Sequence, residues 1–265
     1  MTIFILLIIF IYGIIVGSFL NVVVLRLPNE QNLHGRSHCM SCGHLLAAKD
    51  LVPVFSFLYL RGKCRYCKQS ISFRYAVIEI VCGLLFIATW LVVGLGHGYL
   101  ILIRDLILVS ACLAVFVVDW EHYLILDNII FPVSFGIFLF NVFIDISLHH
   151  NILSWSSVTI MGVIGALAGS IPFYALWAFS KGRWMGFGDV KLMVLLGLAV
   201  GFPMVFILLF IAFILGGLVG ICLLLLKLKK LQSRVPFGTF LSFAAVITVF
   251  WGEKLLKWYL SLIGL

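Results

Sequence analysis

IFILLIIFIYGIIVGSFLNVVVL, residues Ile3 to Leu25, runs for 23 positions without one charged side chain. A helix needs about 20 apolar residues to cross a bilayer, and this run supplies them. It lacks a basic region in front, and its positive charges follow it instead. It therefore reads as a membrane anchor that is retained, not as a signal peptide. Gly13, Gly17 and Asn21 recur every four residues along it, a small-and-polar stripe suited to close contact with a second helix.

The same signal repeats outward from this run. Further apolar stretches lie at about Ala76–Val93, Tyr99–Val118, Leu124–Ile146, Val158–Phe179, Met204–Leu226 and Phe237–Leu260. Val190–Val200 is apolar but short, and Gly201-Phe202-Pro203 separates it from the next run. The count is eight crossings if the short segment spans and seven if it is re-entrant. Of the 265 residues, 64% are hydrophobic and 11% charged, against about 25% charged in soluble domains. A soluble enzyme, a DNA-binding domain and a disordered chain are all excluded. The expected fold is an all-α polytopic membrane protein of about eight transmembrane helices, with a small zinc-ribbon-like insertion after the first.

Charge placement favours eight. The first long loop holds Arg26, Arg36, Lys49, Arg61, Lys63, Arg65, Lys68 and Arg74. Lys181, Arg183 and Lys191 surround the next basic connection, and Lys227, Lys229, Lys230 and Arg234 fill the last. Loops near Gly94–Gly98, His149–Trp155 and Gly201–Pro203 hold no Lys or Arg. Eight crossings put 15 of the 18 basic residues on one face, leaving Arg104, Lys254 and Lys257 elsewhere. The positive-inside rule makes that face cytoplasmic and points both termini outward. The net charge of +8 thus reports topology, and no nucleic-acid partner is expected; lipid is the surrounding partner.

Four of the seven cysteines form two pairs in the first loop, Cys39-Met40-Ser41-Cys42 and Cys64-Arg65-Tyr66-Cys67. A two-residue gap lets both thiolates of a pair reach one ion, and two such knuckles make a tetrahedral site. Gly43 follows the first knuckle, where a tight turn is wanted. A loop of this size cannot build a stable core alone, so bound zinc would supply folding energy. Four ligands leave no open position, so the metal's role is structural. Disulfides are the rival, disfavoured in a reducing cytoplasm. His38 and His44 read as surface residues, and Cys82, Cys112 and Cys222 as core residues.

Ionisable groups at membrane depth point to function by default. Arg104 and Asp105 read as an ion pair, while Asp145 and Glu253 read as solvated near the outer surface. Asp119 ends the third apolar run and Asp189 opens the sixth, in Gly186-Phe187-Gly188-Asp189. The topology brings both to one membrane face. Two carboxylates close together in a poorly solvated site share a proton; one activates water and the other protonates the carbonyl or leaving amine. Gly186 and Gly188 would let an extended peptide approach the backbone there. The structural alternative is that Asp189 only caps its helix.

Gly-Phe-Gly-Asp at 186–189 resembles the GxGD motif of membrane aspartic proteases. The chain as a whole resembles the bacterial prepilin peptidases (type IV leader peptidases). The resemblance rests on Gly17-Ser18-Phe19-Leu20-Asn21-Val22-Val23 with Arg26-Leu27-Pro28, the two cysteine pairs, Ile71-Ser72-Phe73-Arg74-Tyr75 with Glu79, Asp119 through Asp127, and the GxGD with Lys191. It implies that Asp119 and Asp189 are the catalytic pair, and that Gly186, Gly188, Asp127, Lys191 and Glu79 shape the site. It further implies cleavage, after a glycine, of the short basic leader of prepilin or pseudopilin substrates at the cytoplasmic face. Methylation of the new N-terminus with S-adenosylmethionine, associated with the cysteine loop, is also implied. Family members often carry Leu-Pro-Asp where this chain has Ile125-Leu126-Asp127, and Pro where it has Ala76. Asp127 competes with Asp119 for the first catalytic position.

The resulting division is 1–25, a first transmembrane helix; 26–75, a four-cysteine zinc-binding loop domain; and 76–265, a transmembrane aspartic protease domain. The rival from another class is a transporter or channel using Asp119, Asp189 and Glu79 as a proton or cation path. Transporters hold such groups near the bilayer midplane, whereas these lie at an edge. A zinc hydrolase would need an open ligand position.

Overall fold

No water reaches hydrocarbon to satisfy a bare amide, so apolar runs of this length close their hydrogen bonds internally as helices. The computed structural model describes residues 2–94, 98–148, 152, 154–227 and 235–262. Lys229, Lys230 and Arg234 of the last basic connection, and His149, lie outside the described residues. The helices are α1 (Thr2–Arg26), α2 (Phe55–Tyr59), α3 (Arg74–Val92), α4 (Tyr99–His122), α5 (Asp127–Ser147), α6 (Val158–Ser180), α7 (Phe187–Val200), α8 (Met204–Leu225) and α9 (Phe237–Leu262). No β-strand occurs among the described residues, only isolated bridges at His38–Leu45 and Lys63–Ser70.

Seven of these helices are long and apolar enough to cross a membrane, so the all-helical, multi-pass architecture holds. The eighth apolar segment is α7, with 14 residues. At 1.5 Å per residue it is about 21 Å long, short of the roughly 30 Å hydrocarbon core. It begins at Phe187, three residues before its apolar run, and α4 continues past Val118 to His122. Hydropathy stops at a charged side chain; the backbone hydrogen bonds do not.

The chain divides into two compact units, Met1–Val92 and Val93–Leu265. In the first, α1 packs on α3 along the predicted stripe. A β-carbon at Gly17 would lie 2.8 Å from the Glu79 Cα, so only glycine permits this approach. One turn on, Asn21 Nδ2 donates to the Tyr75 carbonyl at 3.0 Å.

In the second unit α7 is the hub, touching α5, α6, α8 and α9. Its Leu192, Met193, Leu195 and Leu196 are fully buried, which explains an apolar helix too short for lipid. It meets α6 where a β-carbon on Gly197 would stand 2.5 Å from the Ala166 Cα. The Asn141 side chain, on α5, donates to the Leu198 carbonyl near the end of α7 and accepts from Arg104. Arg104 also pairs with Asp105 at 2.8 Å, as expected.

Two expectations fail. Asp145 is fully buried, not solvated. It accepts from the Val158 and Thr159 backbone N–H groups and the Thr159 hydroxyl, capping α6 from the preceding helix. Free N–H groups at a helix start attract a carboxylate even where solvent was expected. Cys82 and Cys112 are core residues, but Cys222 is exposed, because α8 turns most of its surface outward. An apolar environment can be lipid as readily as protein.

Candidate functional site

Asp119 lies in the last turn of α4, where Tyr123 ends the helix in a left-handed conformation and returns its N–H to the Asp119 carbonyl. The side chain is 5% exposed. Its Oδ2 accepts the Thr239 N–H at 2.8 Å, and the Gly238 N–H also bonds to the carboxylate. Both donors belong to the first turn of α9, where unpaired amides and the helix dipole favour an anion.

Asp189 stands in the first turn of α7, behind its N-cap Gly186. Its carboxylate accepts from the Gly186 backbone, so the capping role weighed from sequence is present. Capping alone does not account for its surroundings. Asp189 is 9% exposed and lies within electrostatic reach of Asp119. Ile125, in the α4–α5 connection, joins the two sides. A β-carbon on Gly188 would fall 2.9 Å from Ile125 Cβ, and one on Gly238 would fall 3.0 Å from Ile125 Cδ1 and 2.9 Å from Asp119 Oδ2. Gly188 therefore has a packing reason to be glycine, whereas a β-carbon on Gly186 would meet only ordinary contacts, the nearest being Asp189 Oδ2 at 3.6 Å.

The four cysteines also converge, within the first unit. All four sulfur atoms lie within 4.8 Å of one another, and Cys39 Sγ is 3.9 Å from Cys67 Sγ. A tetrahedron with metal–sulfur bonds of about 2.3 Å has edges of about 3.8 Å, so the group can hold a metal ion. The knuckles share one backbone pattern. Cys39 N–H donates to His44 O and Gly43 N–H to Cys39 O; Cys64 N–H donates to Gln69 O and Lys68 N–H to Cys64 O. The turn needs a positive φ, which Gly43 adopts at 69° and Lys68, without a glycine's freedom, at 62°. The Cys42 and Ser41 N–H groups hold the Cys39 thiol down to about 6. At Cys67 the Gln69 N–H acts the same way, but desolvation and the three neighbouring sulfurs outweigh it and push the thiol up to about 11. Arg65 beside Asp50, at 2.6 Å, holds that carboxyl below its usual range and pins the second knuckle to the rest of the insert. Arg26 donates to the carbonyls of Asn32, Leu33, His34 and Arg36, organising the stretch before the first knuckle.

Residues 11–93 match the family model described as the bacterial peptidase A24 N-terminal domain, and residues 106–221 match the type IV leader peptidase family. The prepilin leader peptidase/N-methyltransferase of Aeromonas hydrophila is 31% identical, over 96% of this chain and 93% of that protein. The protein of the same name from Pseudomonas putida is 32% identical over 95% and 92%. That of Bacillus subtilis (strain 168) is 28% identical over 96% and 98%. The chain belongs to the type IV leader peptidase family. No solved structure matches it.

Against that membership, the remaining sequence-derived residues separate. Asp127 opens α5 half-exposed and pairs with Lys191 of α7 at 2.6 Å; the ammonium also stands over the Phe187 and Phe131 rings. Glu79 belongs to the first unit, buried, with Val54, Ser18 and Asn21 as its partners. Gly238, Thr239 and Ile125 were not anticipated. Pro236-Phe237-Gly238-Thr239 carries a helix-start signature, and an anion-binding helix terminus was the signal available.

Proposed function

We propose that this protein is a membrane aspartic endopeptidase of the bacterial inner membrane. It removes the short basic leader from prepilin or pseudopilin substrates after a glycine, and then N-methylates the new terminus with S-adenosylmethionine. The observation that carries the proteolytic reading is the pair of buried carboxylates, Asp119 and Asp189, at one end of α4 and α7. In this reading the pair holds one proton between them and titrates as a unit. The ionised member takes a proton from water as it attacks the scissile carbonyl, and the protonated member stabilises the developing oxyanion and then the leaving amine. The Thr239 and Gly238 N–H groups orient the Asp119 carboxylate, and Lys191 with Asp127 ties α5 to α7. A transport path is not favoured: relatives matched over nearly the whole chain are named as peptidases.

Zinc fits the insert because four sulfurs at tetrahedral spacing leave no open position, so the ion would stabilise residues 26–75 without touching substrate. Residues 76–265 would then form the protease domain. The basic residues support a cytoplasmic insert and active site, with both termini outside. A basic leader enters from that side while the apolar pilin helix stays in lipid.

The test is purified Asp119→Asn and Asp189→Asn protein against a prepilin substrate. Each substitution is expected to cut cleavage by at least about a hundredfold, the span of general acid–base catalysis, with membrane insertion unchanged. Full activity in either variant sinks the dyad.

A further inference from the structure

Glu79 lies in the second turn of α3 and Asn21 near the end of α1, beside the chain ends that the four-cysteine insert connects. Both are buried, at 7% and 5% exposure. The Glu79 Oε2 accepts the Val54 N–H at 2.7 Å, and the Ser18 and Asn21 side chains also bond to the carboxylate. Every one of these partners is neutral. Asn21 Nδ2 is held by the Tyr75 carbonyl, and Asn21 Oδ1 is buried without a hydrogen-bond partner. A buried carboxylate held only by these neutral donors therefore lies beside a buried amide oxygen that has no donor at all, a costly arrangement unless a cation enters.

Backbone strain marks the same place. Val54, whose amide reaches Glu79, sits at φ 60° and ψ −49°, a conformation that β-branched residues avoid. Strain of this kind persists where the surroundings enforce it, commonly at ligand sites. Helix packing alone does not ask for a carboxylate here, since the stripe beside it is made of glycine.

We infer that Glu79 and Asn21 Oδ1 form a binding site for a primary ammonium group, the new N-terminus left by leader cleavage. The inference rests on the proposed methylation. An ammonium group has donors for both acceptors and supplies the missing positive charge. The bound ammonium gives one proton to the Glu79 carboxylate. The nitrogen lone pair then takes the methyl carbon, the carbon–sulfur bond breaks, and its electron pair leaves on sulfur as a neutral thioether. The product is the N-methylammonium terminus, and Glu79 returns its proton to water.

The experiment uses the full-length protein in detergent. Binding of a processed pilin peptide is compared with that of its N-acetylated form, without the methyl donor, and S-adenosylmethionine binding is measured separately. Wild type is expected to prefer the free amine by at least about tenfold, the scale of a buried charge pair. Glu79→Gln should abolish that preference, and Glu79→Asp should keep part of it. A loss in S-adenosylmethionine affinity instead would assign the site to the ammonium of the donor. If Glu79→Gln changes neither affinity, or wild type shows no preference for a free amine, the site is refuted. Wild-type protein that neither cleaves nor methylates prepilin refutes the proposed function itself, an outcome separable from the first. Should Glu79→Gln not insert, the wild-type comparison and Glu79→Asp still decide.

Discussion

The backbone N–H of Thr239 donates to Oδ2 of Asp119 across 2.8 Å, joining residues 120 positions apart. The start of α9 thereby fixes the direction of a buried carboxylate at the end of α4, and the next backbone position leaves no room for error. A β-carbon on Gly238 would sit 2.9 Å from that same oxygen and 3.0 Å from Ile125. Gly238→Ala is therefore expected to turn the carboxylate and lower prepilin cleavage by about tenfold or more, since misplacement of about 1 Å costs on that order. Gly217→Ala, at a helical glycine with nothing within 4 Å, should cleave as wild type. Equal activity in the two variants would contradict the role given to α9.

Asp127 separates a structural carboxylate from a chemical one. Its side chain is half-exposed and bonded to Lys191 through both oxygens, at 2.6 and 2.8 Å. Exposed pairs contribute roughly 0.2–1 kcal/mol, so Asp127→Asn should retain cleavage within about tenfold of wild type. Asp119→Asn should not. Initial rates on one prepilin substrate decide, and the reverse ranking would move the first catalytic position to Asp127.

The insert should bind one zinc ion per chain, measurable by metal analysis of purified protein. Four thiols at tetrahedral spacing release protons when they bind a metal, so affinity should fall as pH is lowered from 8 to 6. Cys64→Ser, at the buried member of the group, should lose the metal and expose residues 26–75 to protease. A zinc-free preparation with the insert still protease-resistant would refute the structural role.

What was legible in the sequence is what side-chain chemistry alone announces. Apolar runs gave away every described helix except the five-residue α2 in the insert, and two-residue gaps between cysteines gave away the knuckles. The Asp119–Asp189 pairing followed from counting crossings. The hidden parts are those carried by backbone or by shape. The amides of Gly238 and Thr239 bear no label in a sequence, and Ile125 looks like any apolar residue until two glycines close on it. Cys222 and Cys112 sit in equally apolar runs, yet one faces outward and the other inward, because lipid and protein interior select the same residues.

Asp145 is the instance with the largest stability consequence. Hydropathy near a loop reads it as wet, whereas it is fully buried and receives the Val158 N–H at 2.8 Å, the Thr159 N–H at 2.9 Å and the Thr159 hydroxyl at 2.6 Å. Asp145→Ala removes the acceptor and strands those donors, at about 1–3 kcal/mol for each buried group left unsatisfied. With roughly 2–4 °C lost per kcal/mol in a chain of this size, the thermal midpoint in detergent should fall by about 5 °C or more. Glu253→Ala, at an exposed carboxylate, should leave it unchanged. Cleavage by Asp145→Ala protein below its midpoint should persist, because α6 would lose the Asp145 acceptor but keep its Ser157 cap on the Ile160 N–H, while Asp119 and Asp189 keep their own partners. Loss of cleavage at full thermal stability would mean that Asp145 acts on the site and not on the fold.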